Sequence, residues 1–266
     1  MKNILMTIEY DGSSFSGWQR QPEARTVQGE LEKVLSQVCG TEIRINGTSR
    51  TDAGVHAYGQ RASFKGDWSI PTDRIRIAAN NLLAGGQNSL GSVGDVRIAE
   101  IEEVPADFHA RFNALGKTYI YKIRNCWEKD VFDRNYSYQI TRKLDLAAMR
   151  LAARQIEGTH DFKCFQASGG KEMESTVRTI SNLQILEDVL EEELNPEGYQ
   201  DRILTVEVTG DGFLYNMVRI ITGTLVDVGT GKISHKKIPE IIQGKDRQRA
   251  GHTAPPQGLY LAEVYY

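Results

Sequence analysis

Two periodicities take turns along this chain, and their alternation confines it to a mixed fold. From Lys2 to Tyr10 the residues Ile4, Met6, Ile8 and Tyr10 recur at every second position, the spacing that lines one face of a strand. Thr26 then offers an N-cap, Val27, Leu31, Val34, Leu35 and Val38 share a helical face, and Gly40 supplies the stop. Residues 60–64 read as a short strand, Pro71 to Leu83 as a second helix broken by Gly85 and Gly86, and residues 93–104 as another strand. The spacing predicts a βαβ-type mixture of about 100 residues, a common size for one α+β unit.

The pattern restarts at Lys117. A strand over 117–125 places Tyr119, Tyr121 and Ile123 on one face, and Asp145 caps a helix carrying Leu146, Met149, Ala153 and Ile156 as far as Gly158. Strands over 177–186 and 202–209, a helix over 214–228 and a closing strand over 258–266 complete the expectation. The stretches Glu9 to Gly12 and Thr209 to Gly212 give a faint internal echo, each after a strand. The fold class is α+β, with 266 residues divided as 1–105 and 106–266.

Several function classes drop out. No apolar run approaches the roughly 18 residues of a membrane span, and the first residues, MKNILMTIEYDG, turn polar too early for a signal peptide. A cytoplasmic protein without a membrane partner is expected. Cys39, Cys126 and Cys164 form no CxxC pair, so neither a disulfide framework nor a cysteine zinc site is expected. His56, His109, His160, His235 and His252 form no HExxH or HxH pair, which argues against a metal hydrolase. Gly231-Lys232 is followed by Ile233, with Val226 where the first glycine of a phosphate loop belongs.

The net charge of −3 conceals a segregation. Between Glu187 and Asp201 stand seven acidic residues and no Lys or Arg, and setting those seven aside takes the remainder from −3 to +4. Residues 232–249 hold six Lys or Arg against Glu240 and Asp246. Such asymmetry favours a basic face for phosphates.

Chemistry concentrates in Gly47 to His56, GTSRTDAGVH. In an extended segment Arg50 and Asp52 point to the same side, while Ala53 and Gly54 leave the backbone open to close approach. An isolated Thr-Asp-Ala-Gly is ordinary turn chemistry. A two-carboxylate glycosidase needs a second motif acid, and Asp11, Asp161 and Asp211 are better read as turn residues.

Ten consecutive residues go further than a turn, because the string resembles the active-site motif of the tRNA pseudouridine synthase A family, written around RTDAGVHA. YDGSSFSGWQRQ from Tyr10, DFHARF from Asp107, KTYIY from Lys117, GTHDF from Gly158, GFLYNMVR from Gly212 and AGHTAPPQGLYL from Ala250 resemble that family's other blocks, in the family's order. The resemblance implies two similar α+β domains sharing a mostly antiparallel sheet, with the catalytic cleft between them. Residues 1–105 carry the catalytic Asp, and 106–266 complete the cleft. It also implies an isomerase that converts uridine to pseudouridine at positions 38, 39 and 40 of the tRNA anticodon stem-loop, without cofactor or metal, and acts as a homodimer.

By the same resemblance Asp52 is catalytic, as a nucleophile on ribose C1′ or as a base that forms a glycal; the residues leave both open. Arg219 pairs with it, and Tyr119 stacks on the uracil and assists loss of the C5 proton. Arg50 supports an extruded uridine, and Leu259 packs under the base. The competing reading is a non-catalytic tRNA-binding or RNA-folding protein using the same cleft. The joint presence of Arg50, Asp52, Tyr119 and Arg219 favours catalysis, and a turnover assay separates the two.

Overall fold

A computed structural model describes residues 1–86, 92–169 and 174–266. They fall into two units, Met1–Leu115 with Tyr260–Tyr266, and Gly116–Leu259.

In the first unit, β1 (Lys2–Tyr10) buries Ile4, Met6 and Ile8 completely, the face its alternation predicts. Helix α1 (Val27–Cys39) begins where Thr26 accepts the Gly29 amide and ends at Gly40, whose φ of 68° suits a residue without Cβ. After β2 (Asn46–Gly47) the chain reverses into β3 (His56–Gly66), and α2 (Thr72–Leu83) leads to β4 (Val96–Glu103). The Asn80 side chain of α2 brackets Ile98 of β4, giving to its carbonyl at 2.9 Å and taking its amide at 2.8 Å.

Both neighbours of β1, β3 and β4, run antiparallel to it, which corrects the βαβ-type expectation. The cause is local. Residues 48–55 turn the chain round after β2, so β3 returns antiparallel to β2 as well as to β1. The final strand (Leu259–Tyr265) sends Tyr260 and Leu261 alongside His56 and Ala57 in parallel.

The second unit opens with β5 (Gly116–Asn125) and β6 (Tyr138–Ile140), which pair in parallel. Helix α3 (Leu146–Ile156) starts where Asp145 accepts the Ala148 amide. Strands β7 (Gly158–Asp161), β8 (Val177–Leu194) and β9 (Gln200–Gly210) follow, and β5, β9, β8 and β7 lie side by side, each pair antiparallel. Helices α4 (Met217–Gly229) and α5 (Ile238–Gly244) complete the unit. The acidic stretch is the far end of the β8–β9 hairpin: β8 continues eight residues beyond the strand that periodicity predicts, and Glu187 meets Arg202 at 2.8 Å and Arg150 at 3.3 Å. No helix among the described residues is long and apolar enough to cross a membrane.

Candidate active site

The loop carrying Asp52 is pinned from both sides. Gln60 of β3 clamps Ser49, donating to its carbonyl at 2.7 Å and accepting its amide at 3.3 Å. Thr48 gives its amide to the Arg61 carbonyl at 2.8 Å, the Trp18 amide reaches the Thr51 carbonyl at 3.0 Å, and the Tyr10 and Thr51 hydroxyls meet at 2.7 Å. Ser49 and Thr51 are buried, Arg50 is exposed and Asp52 half-buried, the alternation expected of an extended segment. The Val55 amide then closes on the Asp52 carbonyl at 3.2 Å, and Gly54 takes a φ of 77°, which a side chain at that turn position resists.

Two glycines outside the motif set this geometry. A Cβ at Gly12 would stand 2.0 Å from the Val55 carbonyl oxygen, and one at Gly17 would stand 2.7 Å from that of Thr51. Gly17 also has a φ of 93°. The YDGSSFSGW block is therefore the bed of the Asp52 loop, a role that spacing alone does not reveal. His56 belongs to the same bed: its ring stacks on Tyr260 at 4.6 Å, and its Nδ1 accepts the Gly12 amide at 3.1 Å. Asp11 Oδ1 is 3.3 Å from that nitrogen and also takes the Ser13 amide at 2.9 Å.

Tyr119, Arg219 and Leu259 belong to the second unit. Tyr119, on β5, is buried with its ring edge-to-face against Phe213 at 5.1 Å. Two residues on, Tyr121 is fully buried and donates its hydroxyl to the Pro255 carbonyl at 2.7 Å. Burial pushes the Tyr121 phenol far up, more than the Arg219 cation pulls it down, so this tyrosine is a strut. Arg219 sits in the first turn of α4 and is half-buried. Its Nε donates to the Ala254 carbonyl at 2.8 Å and its Nη1 to Asn216 Oδ1 at 2.7 Å. Asn216, at φ 60°, precedes the helix without capping it and holds Arg219 instead. Adjacent carbonyls of Ala254 and Pro255 thus hold α4 and β5, and Leu259 follows, buried, where the final strand begins.

Of the acids read as turn residues, Asp11 and Asp161 cap their own turns, while Asp211 reaches across to β8. Asp11 takes the Ser13 amide, Asp161 that of Lys163 and Asp211 that of Thr179. The basic segment pairs with its neighbours while facing solvent: Lys245 meets Asp161 at 2.6 Å, Arg249 meets Glu240 and Lys232 meets Asp227, all three cations being exposed, and half-buried Arg247 donates to Gly251 and Thr253. Lys236 and Lys237 are exposed too. Among the described residues no three His, Cys, Asp or Glu side chains are grouped as a metal site.

A family model described as tRNA pseudouridine synthase matches residues 6–113 and 152–266. A protein named tRNA pseudouridine synthase A from Ruminiclostridium cellulolyticum is 46% identical over 266 residues, covering all of both chains. Relatives of the same name from Acetivibrio thermocellus and a Geobacillus species are 45% and 46% identical, covering all of this chain and 100% and 98% of theirs. With the family model over most of its length and such identity from end to end, the chain belongs to the tRNA pseudouridine synthase A family of isomerases.

Proposed function

We propose that this protein isomerises uridine to pseudouridine at positions 38, 39 and 40 of the tRNA anticodon stem-loop, with Asp52 as the reacting carboxylate. The observation that carries the reading is the pinned loop, which holds Asp52 half-buried between hydrogen bonds to Thr51 and Val55. Such a carboxylate meets a substrate without first being ordered, which spares entropy at the reacting centre.

The reaction breaks the bond from ribose C1′ to uracil N1, turns the base and joins C1′ to C5; C5 loses its proton and N1 ends protonated. Atoms balance within the substrate, so no co-reactant is consumed. Asp52 serves either by attacking C1′ or by removing a ribose proton to give a glycal. Arg219 is its cationic partner and favours the ionised form. Tyr119 stacks on the base and takes part in removal of the C5 proton; an aromatic face holds a base without fixing its rotation. A stem uridine must leave the helix at a cost of a few kcal/mol, and Arg50 supports the extruded state while Leu259 packs beneath the base. The working form is a cytoplasmic homodimer that binds tRNA across both subunits.

Asp52→Asn tests the proposal. The amide keeps the shape and loses the charge, so the variant is expected to fold and bind tRNA with no detectable pseudouridine. Substantial turnover by this variant would remove Asp52 from the chemistry, and tRNA binding without turnover by the unaltered protein would favour the RNA-folding reading.

A further inference from the structure

Residues 251–254 lie along α4 in an arrangement that the reaction chemistry leaves unexplained. Arg219, Gly223 and Asp227 recur every fourth residue and so form one stripe of that helix. The strap runs along the stripe in the opposite direction. Ala254 gives its amide to the Arg219 carbonyl at 3.0 Å and takes Arg219 Nε on its own oxygen at 2.8 Å. The His252 carbonyl lies so near Gly223 that a Cβ there would stand 1.8 Å from its oxygen, and Gly251 donates to Thr224 Oγ1 at 2.9 Å.

The far end of the stripe is an ionisable lock. Asp227 Oδ2 accepts both the His252 amide at 3.2 Å and His252 Nδ1 at 3.0 Å, while Oδ1 takes Lys232 Nζ at 3.1 Å. The Tyr138 hydroxyl faces His252 Nε2 at 3.2 Å, with the two rings edge-to-face. From the outer side Arg247 donates to the Gly251 carbonyl at 2.8 Å and to Thr253 Oγ1 at 3.0 Å. Burial raises the Asp227 carboxyl, yet the His252 ring, Lys232 and the His252 amide outweigh it and hold the group below its ordinary range. A carboxylate so held stays charged at neutral pH and keeps its grip on the strap.

We propose that His252, locked to Asp227, is a positioning residue for the isomerisation: it fixes the register of residues 251–254 on α4 and thereby the direction of the Arg219 guanidinium. Ala254 and Asn216 hold Nε and Nη1, and two fixed nitrogens define the plane of a guanidinium. Asn216 is one residue from α4 and moves with it, whereas Ala254 keeps its place only while the strap does. The inference rests on Arg219 acting as the partner of Asp52.

The test is single-turnover pseudouridine formation and tRNA affinity, measured on an anticodon stem-loop substrate for five proteins: the unaltered chain, His252→Ala, His252→Asn, Arg219→Lys and the His252→Ala/Arg219→Lys double variant. His252→Ala is expected to slow the chemical step about tenfold or more, the scale of a small misplacement at a reacting centre, with tRNA affinity unchanged. His252→Asn should recover most of that rate, because its amide nitrogen takes the place of Nδ1 against Asp227. In the Arg219→Lys background His252→Ala should add little, since the guanidinium it directs is already gone. A full multiplicative loss in the double variant, or an unchanged rate in His252→Ala, overturns the proposal. So does a loss in both His252 variants that only follows their folded fraction in thermal melts. An Arg219→Lys protein as fast as the unaltered one would overturn the Arg219 reading itself.

Discussion

At the scale of single residues, two glycines separate activity from stability. Gly17 and Gly40 both adopt a positive φ, but only Gly17 faces the Asp52 loop, and nothing lies within 4 Å of a Cβ at Gly40. Gly40→Ala should cost about 1 kcal/mol of backbone strain and leave turnover per folded molecule intact. Gly17→Ala carries similar strain and also displaces the Thr51 carbonyl, so turnover should fall in the folded fraction too; urea melts with single-turnover assays check both. The two arginines should fail differently. Arg219→Ala is expected to impair chemistry more than binding, whereas Arg50→Ala should weaken capture of a stem uridine and be partly rescued when the target is already unpaired. Cys164, fully buried, has its thiol pushed up to about 12, chiefly by burial, so native protein near neutral pH should leave it unlabelled by iodoacetamide until denaturant is added.

At the scale of elements, legibility followed the caps and the burial. Helix α1 was readable at both ends because Thr26 and Gly40 announce them, α3 at its start because Asp145 does, and β1 was readable because one of its faces meets the core, whereas Gly158, the stop read for α3, opens β7 two residues after the helix ends. The outer half of β8 was not: residues 187–194 are all exposed, so no face selects apolar side chains and no period of two survives. The proposed Asp52 site stands out in the sequence because its motif is contiguous, while its bed at Gly12, Gly17 and His56 is assembled from separate stretches and leaves no single spacing to detect. One tie between elements sets an acid limit. Lys245, beyond α5, holds the Asp161 carboxyl at the end of β7 below its ordinary range, with help from Thr176 and against the effect of burial. In the unfolded chain that carboxyl titrates normally. The stabilisation is therefore complete above the ordinary carboxylate pKa and is lost as pH falls through the lowered folded value. Melting temperatures of the unaltered chain and Asp161→Asn should differ at neutral pH and converge in acid.

Across the whole molecule, total charge is a poor guide to RNA affinity. A block of seven acids lies on the β8–β9 hairpin, and within residues 232–249 Lys236 and Lys237 are exposed candidates for phosphate contact, while Lys245 and Arg249 are exposed but already paired with carboxylates. Each phosphate neutralised adds about 0.9 to the slope of log affinity against log salt. Replacing both lysines by Gln should flatten the slope by up to about two units, and an unchanged slope would make them plain solvent-facing surface. Arg247→Ala should instead lower stability, because its guanidinium holds Gly251 and Thr253.

The return of the last residues to the first unit carries a consequence for how the protein comes into being. Tyr260, on which the His56 ring rests, is made more than 200 residues after the Asp52 loop it helps to seat. Until that strand is made the bed of the carboxylate is incomplete, and a nascent chain still short of it should hold β1, β3 and β4 but lack the strand that runs beside His56 and Ala57. Seating of the Asp52 loop is then a late event, and a chain cut before Tyr260 would carry that loop translated but without the strand that completes its unit.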